Sequence, residues 1–180
     1  MPNPFETLGL APTFAIDATD LEQRQRELNR AVHPDRHAGE SPAQRRQALS
    51  RAMDVNQAYR ALCDPATRAE ALFELLGTDA LTSSPVTDPA LLGEMMEQRE
   101  LLDEVRRHKD MEGLRALKSN MGERQRQIVL ALGQAFEPLL APSTSQKSRQ
   151  ADLASARRIF TELKYVRRFS EEVAAIEDEI

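Results

Sequence analysis

The chain has 180 residues, of which 41% are hydrophobic and 29% charged, the balance of a globular protein of one domain or two small ones. Its net charge of -5, with no basic tail or stripe, disfavours a nucleic-acid partner. With 7 Gly, no Trp and only 4% aromatics, the interior is left to Leu, Ala, Val, Ile and Met, which favours helices and predicts an all-α fold.

The amino terminus, Met1 to Leu10, carries neither a basic leader nor an apolar run, and no later stretch approaches the ~20 apolar residues of a membrane span. A cytoplasmic protein with no membrane partner is expected. From Asp20 to Val32 the residues Leu21, Leu28 and Val32 fall at helical spacing, with Asp17 or Thr19 able to cap the start. Pro34 ends this helix. A polar loop runs from His33 to about Ser41, where Ser41 and Pro42 open a second helix with Leu49, Ala52, Met53, Asn56, Tyr59 and Leu62 as its inward face. Phe5, Leu8 and Leu10 are placed to close the open end of this antiparallel hairpin. Cys63, at the end of the second helix, reads as a small buried hydrophobe. Being the single cysteine of the chain, it excludes an intrachain disulfide and a cysteine-rich zinc site. Asp64-Pro65 stops the helix, and Arg68 to Leu76 forms a further short one ending at Gly77.

Between Thr78 and Pro89 the residues Thr82, Ser83, Ser84 and Pro85 break the periodicity. The expected division is therefore an amino-terminal domain 1–77, a linker 78–89 and a carboxy-terminal domain 90–180. Three helical patterns follow: Asp88 to Lys109, Met111 to about Phe136, and Lys147 to Glu179, with a Pro/Ser linker from Pro138 to Ser145 between the last two. Their seams are Leu91, Met95, Leu102 and Val105; then Leu114, Leu117, Met121, Ile128, Leu132 and Ala135; then Ile159, Leu163, Val166, Val173 and Ile176. An antiparallel three-helix bundle buries all three.

The sharpest short motif is His33-Pro34-Asp35, in the polar loop between two amphipathic helices. By chance the tripeptide would occur in about one in a hundred chains of this length. Here the chain resembles the J-domain family, whose His-Pro-Asp loop between its second and third helices triggers ATP hydrolysis by a DnaK-type chaperone. The chemistry suits that role: Pro34 stiffens the turn, and Asp35 can accept hydrogen bonds and pair with a basic group. Arg24, Arg26 and Arg30 on the preceding helix are candidate contacts to an acidic chaperone groove.

A second resemblance covers nearly the whole chain. The opening Asn3-Pro4-Phe5-Glu6-Thr7-Leu8-Gly9-Leu10, the segment Val55-Asn56-Gln57-Ala58-Tyr59, and Pro65 followed by Arg68-Ala69-Glu70 resemble the HscB type of iron–sulfur co-chaperone. The glycine-rich and zinc-finger regions of general J-proteins are replaced by an acidic helical region, as in that family. The resemblance implies an L-shaped molecule: a J-domain hairpin engaging an HscA-type, DnaK-like ATPase, and a bundle holding an IscU-type cluster scaffold. In the first bundle helix Leu92 and Met96 lie off the buried seam beside Glu97, Glu100 and Glu104. Matched to the family, these five, with Tyr165 of the last helix, are the expected scaffold-binding residues. Gly93 departs from the family, which often has a larger apolar residue there.

No catalytic residue, metal or cofactor is expected. His33 and His37 share i,i+4 spacing, but Pro34 breaks the helix such a metal pair requires, and no nucleophile elbow or phosphate-cradling glycine loop is present. The other readings are a J-domain co-chaperone for a different cargo and a histidine-dependent enzyme or metal protein.

Overall fold

The computed structural model describes residues 3–32, 39, 41–78, 89–141 and 146–179. The chain divides into two compact units, Met1–Ala80 and Leu81–Ile180. The fold is all-α: seven helices and no strand occur among the described residues. His33, Pro34 and Asp35, and all of the expected linker except Thr78 and Pro89, lie outside those residues.

In the first unit, α1 (Pro4–Leu8) is capped by Asn3, whose side chain accepts from the Phe5 amide, and it ends at Gly9, whose φ of 64° few side chains tolerate. Phe5 and Leu8 are fully buried and close the hairpin of α2 (Ala18–Ala31) and α3 (Pro42–Cys63). Asp17 caps α2, its carboxylate accepting from the Thr19 and Asp20 amides at 2.7 and 3.1 Å. Those backbone donors hold its pKa below the ordinary carboxylate value. Ser41 and Gln44 form a reciprocal capping box at the start of α3.

The inward face of α3 differs from the sequence expectation. Ala48, Val55, Ala58 and Leu62 are buried, whereas Leu49 and Met53 are 53% and 65% exposed. Both stripes satisfy helical spacing, but the one with alanines at 48 and 58 lets neighbouring helices approach closely, and the other is left facing out. Asn56 is only partly buried and joins α3 to α2: its side-chain oxygen accepts from Gln25 Nε2 at 3.0 Å and Asn29 Nδ2 at 2.9 Å.

Helix α4 (Pro65–Leu75) begins three residues earlier than expected because Asp64 caps it, accepting from the Ala66 amide at 2.7 Å. Pro65 then occupies the first helical position, where its missing N–H costs nothing. Arg68 points back from α4, its guanidinium donating to the carbonyls of Leu62 (2.7 Å), Phe14 (2.7 Å) and Cys63 (3.4 Å). It also lies 5.4 Å from the centre of the Phe14 ring. Burial pushes its pKa below the usual arginine value. Cys63 is exposed, contrary to expectation: the α3 stripe buried at this end runs through Leu62, leaving its sequence neighbour outside.

The second unit is an antiparallel bundle of α5 (Pro89–His108), α6 (Met111–Leu140) and α7 (Gln146–Glu179). Helices α6 and α7 form its main core, burying Leu114, Leu117, Ile128, Leu132 and Phe136 against Phe160, Leu163, Val166, Phe169 and Val173. Two seam assignments shift. Ala135 is half-buried and Phe136 takes the core place; Ile159 is half-buried and Ala156, Phe160 and Phe169 join the core. In each case the larger ring removes more apolar area from water. Helix α6 also runs through Pro138 rather than ending before it. Only its last turn is affected by the absent amide, and continuing the helix buries Leu139.

Helix α5 contributes Leu102 and Val105 to the core, while Leu91, Met95 and Gln98 continue the same stripe half-buried. It ends at Lys109, a non-glycine residue with φ of 52°. The Lys109 amide donates to the Arg106 carbonyl and that of Asp110 to the Val105 carbonyl, closing the helix. Asp110 then caps α6, accepting from Glu112 and Gly113 amides. A Cβ at Gly113 would lie 2.6 Å from Asp110 Oδ2 and 3.0 Å from Val105 Cγ2. Although alanine is ordinarily the better helix former, Gly113→Ala is expected to destabilise the bundle by about 1 kcal/mol, because the cap must move aside. Thermal unfolding checks this, and in an Asp110→Ala background the same substitution should cost less, only the tight approach to Val105 Cγ2 remaining.

Candidate functional site

The described candidate residues of the first unit do not form one cluster. Arg24, Arg26 and Arg30 are all exposed on α2. Arg26 and Arg30 are one turn apart on a shared face, whereas Arg24 is turned about 160° from Arg26 by the helical period. Arg26 pairs with Glu22 one turn before it. Among the described residues Arg24 and Arg30 have no carboxylate partner. The helix packs on α3 through Leu21 and the Gln25–Asn29–Asn56 contacts. The arginines therefore sit on a braced helix.

In the bundle, the orientation of α5 is fixed by polar contacts on both flanks. Arg124 of α6 lies 2.7 Å from Glu94 of α5 and 2.7 Å from Glu162 of α7, joining all three helices. Burial works against its charge, but the two carboxylates outweigh that and raise its pKa. On the other flank Arg99 meets Glu172 of α7 at 3.0 Å. Between these flanks, and away from the core, α5 presents Leu92 and Met96, 46% and 59% exposed. Glu97, Glu100 and Glu104 are exposed beside them. Among the described residues these three carboxylates have no ion-pair partner, although Glu94, Glu162, Glu172 and Glu177 of the same bundle do.

Tyr165 is placed differently. It is half-buried, its hydroxyl donates to the Met95 carbonyl at 3.2 Å, and its ring stacks on Phe169 at 6.0 Å. Burial raises its pKa. Tyr165 and Glu97 line one shallow hollow of about 90 Å³ with Met121 and Arg124. It thus supports α5 from beneath, while Leu92 and Met96 face outward. Gly93, beside them, has open space around the position a Cβ would take.

Sequence reasoning did not find Arg124, and it quoted Arg68 only within a segment that carries the resemblance, without the contacts it makes. Each is one basic residue among many in the chain, and only the fold shows which of them reach across helices. Asn56 was read as an inward position, without the two amide contacts it makes. Among the described residues no group of three or more His, Cys, Asp or Glu side chains could hold a metal ion, and no helix is long and apolar enough to cross a membrane.

These features define a class: an all-helical protein of two units whose described candidate residues, Tyr165 apart, sit on outward helix faces. Residues 87–174 match the family model described as the HSCB C-terminal oligomerisation domain. The chain is 37% identical over 174 residues to a co-chaperone protein HscB homolog of Bordetella avium, covering 96% of each. With the homolog of Bordetella pertussis the identity is 47% over 104 residues, a stretch spanning 57% of this chain and 61% of that relative. Among solved structures, the chaperone HscB from Vibrio cholerae superposes with a TM-score of 0.74 at 32% identity, covering 98% of each chain. The chain belongs to the HscB family of co-chaperones.

Proposed function

We propose that this chain delivers an iron–sulfur cluster scaffold protein of the IscU type to a DnaK-like ATPase of the HscA type and stimulates its ATP hydrolysis. The bundle holds the scaffold on the outward face of α5, through Leu92, Met96, Glu97, Glu100 and Glu104, with Tyr165 behind. The first unit, whose helical order fits a J-domain, engages the ATPase through Arg24, Arg26 and Arg30 and the His33-Pro34-Asp35 loop. None of these residues attacks a substrate. They act by favouring the hydrolysis-competent state of the partner and by raising the local concentration of the scaffold beside it. The natural setting is the cytoplasm.

The observation that carries the reading is the α5 face: two large apolar side chains about half exposed, beside three carboxylates without ion-pair partners among the described residues, in a bundle that pairs Glu94, Glu162 and Glu172. Such a surface suits a partner with apolar pockets and a basic rim. The test is single-turnover ATP hydrolysis by the cognate HscA-type chaperone with the chain alone, and with the chain plus apo-scaffold. The expected result is stimulation by the chain and a further rise with scaffold. Stimulation without any effect of scaffold would support the alternative of a J-domain co-chaperone for another cargo, and no stimulation would refute both.

A further inference from the structure

The outward surface of α5 has a second edge. Leu101 is 44% exposed, as exposed as Leu92 at 46%, although it is remote from Leu92 and Met96 around the helix. Taking about 100° per residue from Leu92, Met96 lies at about 40°, Glu100 at 80°, Glu104 at 120°, Glu97 at 140° and Leu101 at 180°. The buried stripe of Leu102 and Val105, continued by Leu91, Met95 and Gln98, occupies the opposite half. The ion pairs check this register independently: Glu94, close to Leu101 in angle, reaches α6, and Arg99, close to Leu92, reaches α7. The exposed half of α5 therefore carries Glu97, Glu100 and Glu104 with Leu92 and Met96 to one side and Leu101 to the other.

We propose that Leu101 is a specificity-determining contact for the scaffold, so that the partner straddles α5 instead of resting only on its Leu92–Met96 side. This rests on the function proposed above and extends its footprint. Glu97 and Glu104 precede and follow Leu101 by four and three residues, so they are its neighbours on the helix surface. Neither carboxylate has an ion-pair partner among the described residues. Leu101 lies between these two carboxylates along the helix axis and about 40–60° further round it, so a partner whose basic side chains approach both comes within reach of its side chain. The partner surface that fits is a basic ridge with apolar residues on both flanks, and covering Leu101 removes its remaining apolar area from water.

Calorimetric titration of the full chain with purified apo-scaffold tests the proposal, comparing wild type with Leu101→Ala, Leu101→Glu and Leu130→Ala. Leu130 is 69% exposed on α6 and controls for loss of any exposed leucine. All replace surface residues, and thermal unfolding verifies that each variant folds. The expected result is a Kd raised about tenfold by Leu101→Ala, a larger rise for Leu101→Glu, and no change for Leu130→Ala. A Kd unchanged by both Leu101 substitutions, while wild type binds, would overturn the Leu101 contact and leave the Leu92–Met96 face standing. An equal loss with Leu130→Ala would overturn it as unspecific stickiness. Absence of binding by wild type would remove the scaffold-binding function and Leu101's role with it.

Discussion

Asp35→Asn should abolish stimulation of the HscA-type ATPase while leaving the affinity for apo-scaffold unchanged. The substitution keeps size and shape but removes the charge, and so replaces a charge-assisted contact to a basic group by a weaker neutral one. Loss of one partner from such a contact at an interface costs about 2–5 kcal/mol, so at fixed concentrations the stimulation should fall by about 30-fold or more. Pro34 is retained, so the constraint that a proline ring places on its own φ is the same in both proteins. Single-turnover hydrolysis measures the first effect and calorimetry with apo-scaffold the second. In the sequence Asp35 falls between α2 and α3, while every proposed scaffold contact belongs to α5 or α7. A matched loss of scaffold affinity would therefore contradict the division of labour, and full retention of stimulation would remove Asp35 from the chaperone contact. His33→Gln is expected to follow the same pattern.

The fold was largely legible because its boundaries are set by local chemistry. Asp17, Ser41, Asp64 and Asp110 each cap a helix, Gly9 and Gly77 take positive φ after helices, and the bundle seams follow the 3.6-residue period. Which of two acceptable stripes becomes the buried one was not legible. On α3 the stripe through Ala48 and Ala58 is buried in preference to that of Leu49 and Met53, and this depends on how closely α1 and α2 approach. The same holds for Ile159 and Phe160, which are sequence neighbours competing for one place in the core. Pro138 misled for another reason. A proline stops a helix when its lost hydrogen bond matters, and here the next residue, Leu139, is buried at 3% exposure, in the helix's last turn.

The candidate site was legible to the extent that it depends on α5 alone. The helical period separates Leu92, Met96 and the glutamates from the core stripe without reference to any other element. What the sequence leaves open is the state of each charged group, because ion pairs such as Arg124 with Glu94 and Glu162 span α5, α6 and α7. Glu94 looks as available as Glu97 in the sequence, but the fold commits it to Arg124. Tyr165 likewise carries an intramolecular bond to the Met95 carbonyl that its place in the periodicity does not announce.

Leu92→Ala combined with Met96→Ala should raise the Kd for apo-scaffold by about 100-fold, a loss of ~3 kcal/mol. The two side chains are one turn apart and retain enough exposed surface, 46% and 59%, for a partner to bury most of each. Truncation removes apolar area that binding would take from water, and it does so without a cavity in the bundle, because neither side chain belongs to its core. Stability should accordingly change by less than about 0.5 kcal/mol, as for other surface positions. That pairing of results distinguishes an interface from a packing role: a large fall in Tm with a small change in Kd would assign both residues to the fold. The remaining affinity of the double variant should weaken further with added salt, since its binding would depend on Glu97, Glu100 and Glu104. Because stimulation by the chain alone does not pass through α5, it should persist in the double variant, and only the additional rise on adding scaffold should disappear at scaffold concentrations near the wild-type Kd.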